Sequence, residues 1–209
     1  MMRKVLPVLV AVTLAAIACA GTWAAEPFEP VDHRFCFTCH GTDGMGSEGI
    51  QAPRLAGMEP WYLKRQLELF REGGRGKHPS DIEGMEMQPM AVILTDEHIA
   101  DIIDWAGTWE YKPAEPTLTG GNVDNGRRLY QACVMCHGDA AQGNEAMNAP
   151  ALQGQNDWYL VTQLKNFKAG YRGTDPKDRY GAPMRAMTSS LANEQAIIDV
   201  VSYINTLGR

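Results

Sequence analysis

The chain has 209 residues, 44% of them hydrophobic and 21% charged, with a formal net charge of −6. That length holds one ordinary domain or two small ones, and the composition is that of a soluble globular protein. The acidic excess, with no basic stripe to offset it, excludes nucleic acid as a partner.

The first 25 residues differ from the rest. Arg3 and Lys4 precede an apolar run from Val5 to Ala20, and small residues then lead to Glu26, the order of an export signal. Residues 1–25 are assigned to it, with cleavage after Ala24 or Ala25 preferred to cleavage after Ala20. A retained membrane anchor is disfavoured because the run is short for a span and contains Pro7. Acylation of Cys19 is disfavoured by Ala16, which stands where a lipoprotein signal has leucine. Loss of the signal leaves 17 basic against 25 acidic residues, in a protein expected in the periplasm.

"FCFTCHG" follows, placing Cys36, Cys39 and His40 in the Cys-x-x-Cys-His order, and Cys133, Cys136 and His137 repeat it. This is the attachment signal of a c-type haem: the thiols bond the porphyrin vinyl groups and the histidine reaches the iron. Three rivals are weaker. A disulfide or a thioredoxin-like dithiol needs no following histidine, and the dithiol belongs beside a strand-helix unit that is absent. A zinc site on four thiolates leaves both histidines unexplained.

Beyond the motif, "PWYLKRQLELF" puts Leu63, Leu67 and Phe70 on one helical face, with Pro60 at its start and Gly73 past its end. "TDEHIADIIDWA" begins with cap residues and buries Ile99, Ile102 and Ile103. Proline-rich "KPAEPTLTGG" then joins this segment to a second copy of it. There "DWYLVTQLKNF" carries Leu160, Leu164 and Phe167, and "ANEQAIIDVVSYI" carries Ile197, Val200, Val201 and Ile204.

The duplication is explicit. A shift of 97 positions lays Gly46, Pro53, Leu55, Gly57, Trp61, Tyr62, Gln66, Gly73 and Arg75 on the same residue types, and no gap is needed from Cys36 to Glu97. A period that long is not a solenoid repeat. The fold is predicted to be all-α: residues 1–25 signal, 26–112 and 120–209 two small helical bundles, and 113–119 the linker.

The repeat also narrows the second axial ligand of each iron. Met45, Met58, Met85 and His78 fall on other residue types, so Met87 with Met184 and Met90 with Met187 remain. His33 and His98 have no partner in the other half and read as surface residues, His33 being near enough to the first motif to count as a rival ligand.

Each half, with its Cys-x-x-Cys-His-Gly start, Pro-x-Leu-x-Gly segment, Tyr-Leu-x-x-Gln-Leu helix and Met-x-x-Met-x-x-x-Leu stretch, resembles a class I cytochrome c domain, and the pair resembles the diheme cytochrome c4 family over residues 30–207. The resemblance implies two covalently bound haem c groups. It implies Met87 and Met184 as iron ligands opposite His40 and His137, and Pro53 and Pro150 carbonyls as acceptors for the histidine Nδ1 protons. Arg75 and Arg172 read either as partners of the haem propionates or as solvated loop residues, and Trp61 and Trp158 either as pocket walls or as plain core.

His/Met ligation saturates the iron and raises its potential relative to bis-histidine, which describes a carrier of single electrons and not an enzyme. By resemblance the protein shuttles electrons from a quinol-oxidising cytochrome complex or a dehydrogenase to a terminal oxidase. Its partners are then redox proteins of membrane-bound respiratory complexes, with no small-molecule substrate. One alternative is the haem subunit of a dedicated dehydrogenase such as flavocytochrome c sulfide dehydrogenase. The other, a diheme peroxidase, conflicts with the matched methionines. Asp81, Glu83 and Glu86 lie in the first methionine stretch with no Lys or Arg between His78 and Met90, whereas Asp175 and Asp178 of the second are set against Lys177, Arg179 and Arg185, so surface charge gives the first haem the lower potential.

Overall fold

The computed structural model describes residue 32 and residues 34–208; the export segment and His33 lie outside the described residues. The first half holds α1 (Arg34–His40), α2 (Pro60–Glu72), α3 (Ile82–Ala91) and α4 (Asp96–Ala106). In the second half are α5 (Val123–Tyr130), α6 (Val134–His137), α7 (Asp157–Ala169), α8 (Gly181–Thr188) and α9 (Glu194–Ile204), with a 3-10 turn at Glu145–Met147. No strand occurs among the described residues, and two isolated bridges, Ser47 with Ala52 and Asn144 with Ala149, recur at the repeat spacing.

Local chemistry sets the helix ends. Pro60 opens α2, and Gly73 and Gly170 close α2 and α7 in the left-handed conformation, φ 72° and 78°. Thr95 caps α4 by accepting from the His98 N–H, while His98 Nδ1 accepts from the Thr95 N–H at 3.2 Å. His98 is therefore a half-buried capping residue and not a simple surface histidine.

Each half has its own core. Leu63 and Leu67 of α2 pack on Ile99, Ile102 and Ala106 of α4. Tyr130 of α5 and Leu160 of α7 pack on Ile197, Val200, Val201 and Ile204 of α9. Full burial of each such side chain contributes about 1.5–3 kcal/mol. α5 crosses α9 at Gly126, where a Cβ would fall 1.9 Å from the Asp199 carbonyl oxygen.

The proline-rich linker is a bound strap, not a free tether. Tyr111 lies under the Arg54 guanidinium, and Ala114 N–H donates to the Gly154 carbonyl at 2.9 Å. Asp157, at the start of α7 and 1% exposed, accepts from Thr117 N–H, Thr117 Oγ1, Leu118 N–H and Asn205 Nδ2. Burial opposes ionisation of this carboxylate, but the bonds from Leu118 and Thr117 outweigh it and hold the pKa below the ordinary value. A depressed folded pKa gives stability that is complete above the unfolded pKa and lost as pH falls through the folded one. Asp157→Asn is expected to cost about 1–3 kcal/mol at neutral pH. That deficit in urea unfolding should vanish in acid, where the wild-type carboxyl is neutral too.

Candidate haem-binding sites

α1 brings Cys36, Cys39 and His40 onto one segment; in the second half Cys133 precedes α6, which holds Cys136 and His137. All four cysteines are free and half-buried. Burial raises the Cys36 thiol and pushes Cys133 up to about 11. A thiol raised in this way is protonated at neutral pH, unlike the thiolate of a redox dithiol. Among the described residues no three His, Cys, Asp or Glu side chains gather to hold a metal ion.

Both motif histidines are buried, at 7% and 3% exposure. His40 Nδ1 lies 2.7 Å from the Pro53 carbonyl and His137 Nδ1 lies 2.8 Å from that of Pro150. A carbonyl only accepts, so each Nδ1 carries the proton and each Nε2 keeps its lone pair for a metal. Burial lowers both imidazole pKa values, which keeps the rings neutral, the form that ligates.

Two glycines make room for these carbonyls. Gly46 and Gly143, at φ 83° and 82°, turn the chain back so that their N–H groups bond the His40 and His137 carbonyls. A Cβ on Gly143 would lie 2.5 Å from Ala151 N and 2.8 Å from Pro150 C; on Gly46 it would lie 2.7 Å from Arg54 N. Gly143→Ala is expected to cost about 1–2 kcal/mol from the left-handed backbone alone. It should also displace the Pro150 carbonyl, read as a change in the second haem's spectrum with the first unchanged.

Opposite the histidine in the second half, Met184 Sδ stands 3.5 Å from His137 Nε2. Beside them a cavity is walled by Cys133, Leu160, Phe167 and Leu191, and by Glu59, Tyr62 and Gln66 reaching over from the first half. Met87 is half-buried against the first core. Met90 and Met187 face outward, 44% and 43% exposed. Trp158 is not among the residues walling the cavity.

Arg75 and Arg172 are not solvated; they are 8% and 5% exposed and meet between the halves. Arg75 donates to Gln66, Gln163 and Tyr159, and Arg172 donates to Gln163, Gln66 and Tyr62. The array is a pseudo-twofold one, because 62, 66 and 75 correspond to 159, 163 and 172 in the repeat. Each guanidinium also lies 4.4 Å over a phenylalanine, Phe70 or Phe167. Neither hydrogen-bonds a carboxylate among the described residues, and both Nε atoms are buried without a partner. Two buried, incompletely partnered cations, of which Arg172 lines the largely apolar cavity, fit a ligand that brings its own carboxylates, as the propionates of haem do. Sequence reading missed Tyr62, Gln66, Tyr159 and Gln163 as part of the site, although their conservation across the repeat was the available signal.

The cytochrome c family model matches residues 31–108 and 123–208. The chain belongs to the cytochrome c family. This cytochrome c is similar to the thiosulfate dehydrogenase electron acceptor of Stutzerimonas stutzeri (strain A1501), 37% identical over 187 residues, covering 83% of this chain and 79% of that one. It is 31% identical to the cytochrome c4 of Stutzerimonas stutzeri, over 82% of this chain and 84% of the relative. Its fold matches part of the thiosulfate dehydrogenase structure from Marichromatium purpuratum with TM-score 0.64 and 31% identity, covering 82% of this chain but only 36% of that longer one. It is thus a diheme, cytochrome c4-like electron carrier, all-helical, with two covalently bound haem c groups at the two Cys-x-x-Cys-His sites. Its partners are redox proteins.

Proposed function

We infer that this cytochrome takes electrons from a dedicated periplasmic dehydrogenase of a reduced sulfur oxyanion, thiosulfate, and passes them towards a terminal oxidase of the respiratory chain. The observation that carries this is the greater identity to a thiosulfate dehydrogenase electron acceptor than to the cytochrome c4 relative. The general shuttle from a quinol-oxidising cytochrome complex is the second reading, favoured by that cytochrome c4 relative. Residues 1–25 direct export and are removed, and residues 26–112 and 120–209 are the two haem domains joined by 113–119.

The haem iron supplies a one-electron couple, and the chain holds it in place and closes it off from substrates. Cys36 and Cys39 tether one haem and Cys133 and Cys136 the other. His40 with Met87, and His137 with Met184, would be the protein ligands of the two irons. The close approach of Met184 Sδ to His137 Nε2 and the exposure of Met90 and Met187 support this choice of methionines. Arg75 and Arg172 would supply the positive charge that holds the haem propionates.

The test is reduction of the oxidised protein by catalytic thiosulfate dehydrogenase and thiosulfate, set beside reduction by a quinol-cytochrome c oxidoreductase and quinol. Faster reduction by the dehydrogenase supports the reading. Reduction by the quinol enzyme alone replaces it with the general shuttle.

A further inference from the structure

Each motif histidine is held by one peptide group, and the other edge of that peptide is gripped from the opposite half of the molecule. His137 Nδ1 donates to the Pro150 carbonyl, and the N–H of the same peptide, on Ala151, donates to Glu59 Oε1 at 2.7 Å. His40 Nδ1 donates to the Pro53 carbonyl, and the N–H of that peptide, on Arg54, donates to Asn156 Oδ1 at 2.7 Å. Glu59 and Asn156 correspond in the repeat, as do Arg54 and Ala151. Both are N-cap residues, of α2 and α7, yet neither side chain caps its own helix. The side chains reach across the interface instead. The geometry is the same in both halves and the chemistry is not: a carboxylate stands behind His137 and a neutral amide behind His40.

We propose that Glu59 and Asn156 are cross-domain tuning residues that set the two haems apart, making the haem at Cys133 and Cys136 the lower-potential centre. This rests on His40 and His137 being iron ligands. An acceptor on a peptide N–H polarises the whole group, so its carbonyl becomes a stronger acceptor. A charged acceptor makes a bond about twice as strong as a neutral one. The stronger pull on the His137 Nδ1 proton makes that imidazole the better electron donor to iron, which favours the ferric state. The Glu59 charge acts in the same direction through space, because ferric iron carries the extra positive charge. The Arg54 guanidinium attracts Glu59 through space and weakens that field, but it donates to the Ala56 and Lys112 carbonyls, at 2.6 and 3.4 Å, and leaves the Glu59 bond to the Ala151 N–H in place.

The order of potentials is then the reverse of the one read from the charges flanking Met87 and Met184. Glu83, Glu86, Arg179 and Arg185 are exposed or half-exposed and screened by salt. Asp81 and Asp178 are both buried and correspond in the repeat, so they offset each other. A direct hydrogen bond onto the peptide that holds the ligand is not screened. Electrons entering the molecule settle on the haem at Cys36 and Cys39. Because each tuning group comes from the opposite half, the gap exists only while the halves are docked.

The test is a redox titration of the full two-haem protein and of Glu59→Gln and Asn156→Asp, followed at each haem by its paramagnetically shifted NMR signals. Both variants keep the size and the acceptor oxygen. Glu59→Gln should raise the second haem alone and reduce the constant for electron sharing between the haems about tenfold, equivalent to about 59 mV for one electron. Asn156→Asp should lower the first haem alone by a similar factor. Equal movement of both haems, movement of neither, or a higher wild-type potential at Cys133 and Cys136 overturns the proposal. The methionine-iron absorbance band is read in the same samples: with the band intact, unmoved potentials refute the tuning and leave the ligation standing. A wild-type protein without the band refutes the ligation itself.

Discussion

Met184→Ala is expected to remove the methionine-iron charge-transfer absorbance of one haem and leave that of the other, so about half of the band is lost; Met87→Ala should remove the other half. Met184 Sδ already stands on the open side of His137 Nε2. Among side chains at matching repeat positions, only Met87 with Met184 and Met90 with Met187 offer a thioether in both halves, and the second pair faces outward. A thioether favours the reduced iron. Its loss should therefore lower the potential of that haem and open its sixth position to added cyanide or carbon monoxide. Met90→Ala and Met187→Ala should leave band and potential unchanged. If Met90→Ala removes the band and Met87→Ala does not, the assignment is wrong.

Arg172→Leu should have the largest effect on stability, about 3–5 kcal/mol, the cost of breaking a buried charged network by deleting one member. Three hydrogen bonds are lost at once, to Gln163, Gln66 and Tyr62, together with the stack on Phe167. A haem propionate held there would also lose its countercharge. Two of the three acceptors belong to the other half, so the loss also loosens the contact between domains. Arg172→Lys should recover little, since a single ammonium cannot reproduce the planar fork that reaches Gln163, Gln66 and Tyr62 together. Urea unfolding followed at both haems gives the size of the loss. A value under about 1 kcal/mol would mark the pair as surface-like.

The parts of this molecule that follow a periodic rule were readable from the chain. α2, α4, α7 and α9 carry apolar stripes at helical spacing and end on recognisable caps, and their buried residues include Leu63, Leu67, Ile99, Ile102, Ile197 and Val201 as that spacing implies. α3 and α8 were not legible as helices. They carry the methionine stretches, have Gly84 and Gly181 in the first turn, and α3 contains Pro89, so propensity and periodicity both argue against a helix. A local contact explains the glycines: the Asp81 and Asp178 carboxylates, three residues upstream, occupy the space a Cβ would take on them.

α5 was missed for a different reason. It is short, and its burial is concentrated at Gly126 and Tyr130, so contact with α9 creates the helix more than its own pattern does. The haem motifs were legible because covalent chemistry fixes their spacing. The interface was not, because Tyr62, Gln66, Arg75 and their counterparts are polar residues whose burial depends on a second domain docking against them. Glu59 and Asn156 looked like ordinary helix caps until the structure placed their side chains across that interface.

Anaerobic reductive titration of the purified full-length protein under carbon monoxide decides most directly whether this is a two-haem carrier with both irons closed. Two electrons should enter per chain in single-electron steps, and the spectrum should show no carbon monoxide adduct, because a histidine and a methionine fill both axial positions of each haem. Uptake of one electron per chain, or carbon monoxide binding at either haem of the unmodified protein, would show that one site is missing or open and that the protein is not a simple electron carrier.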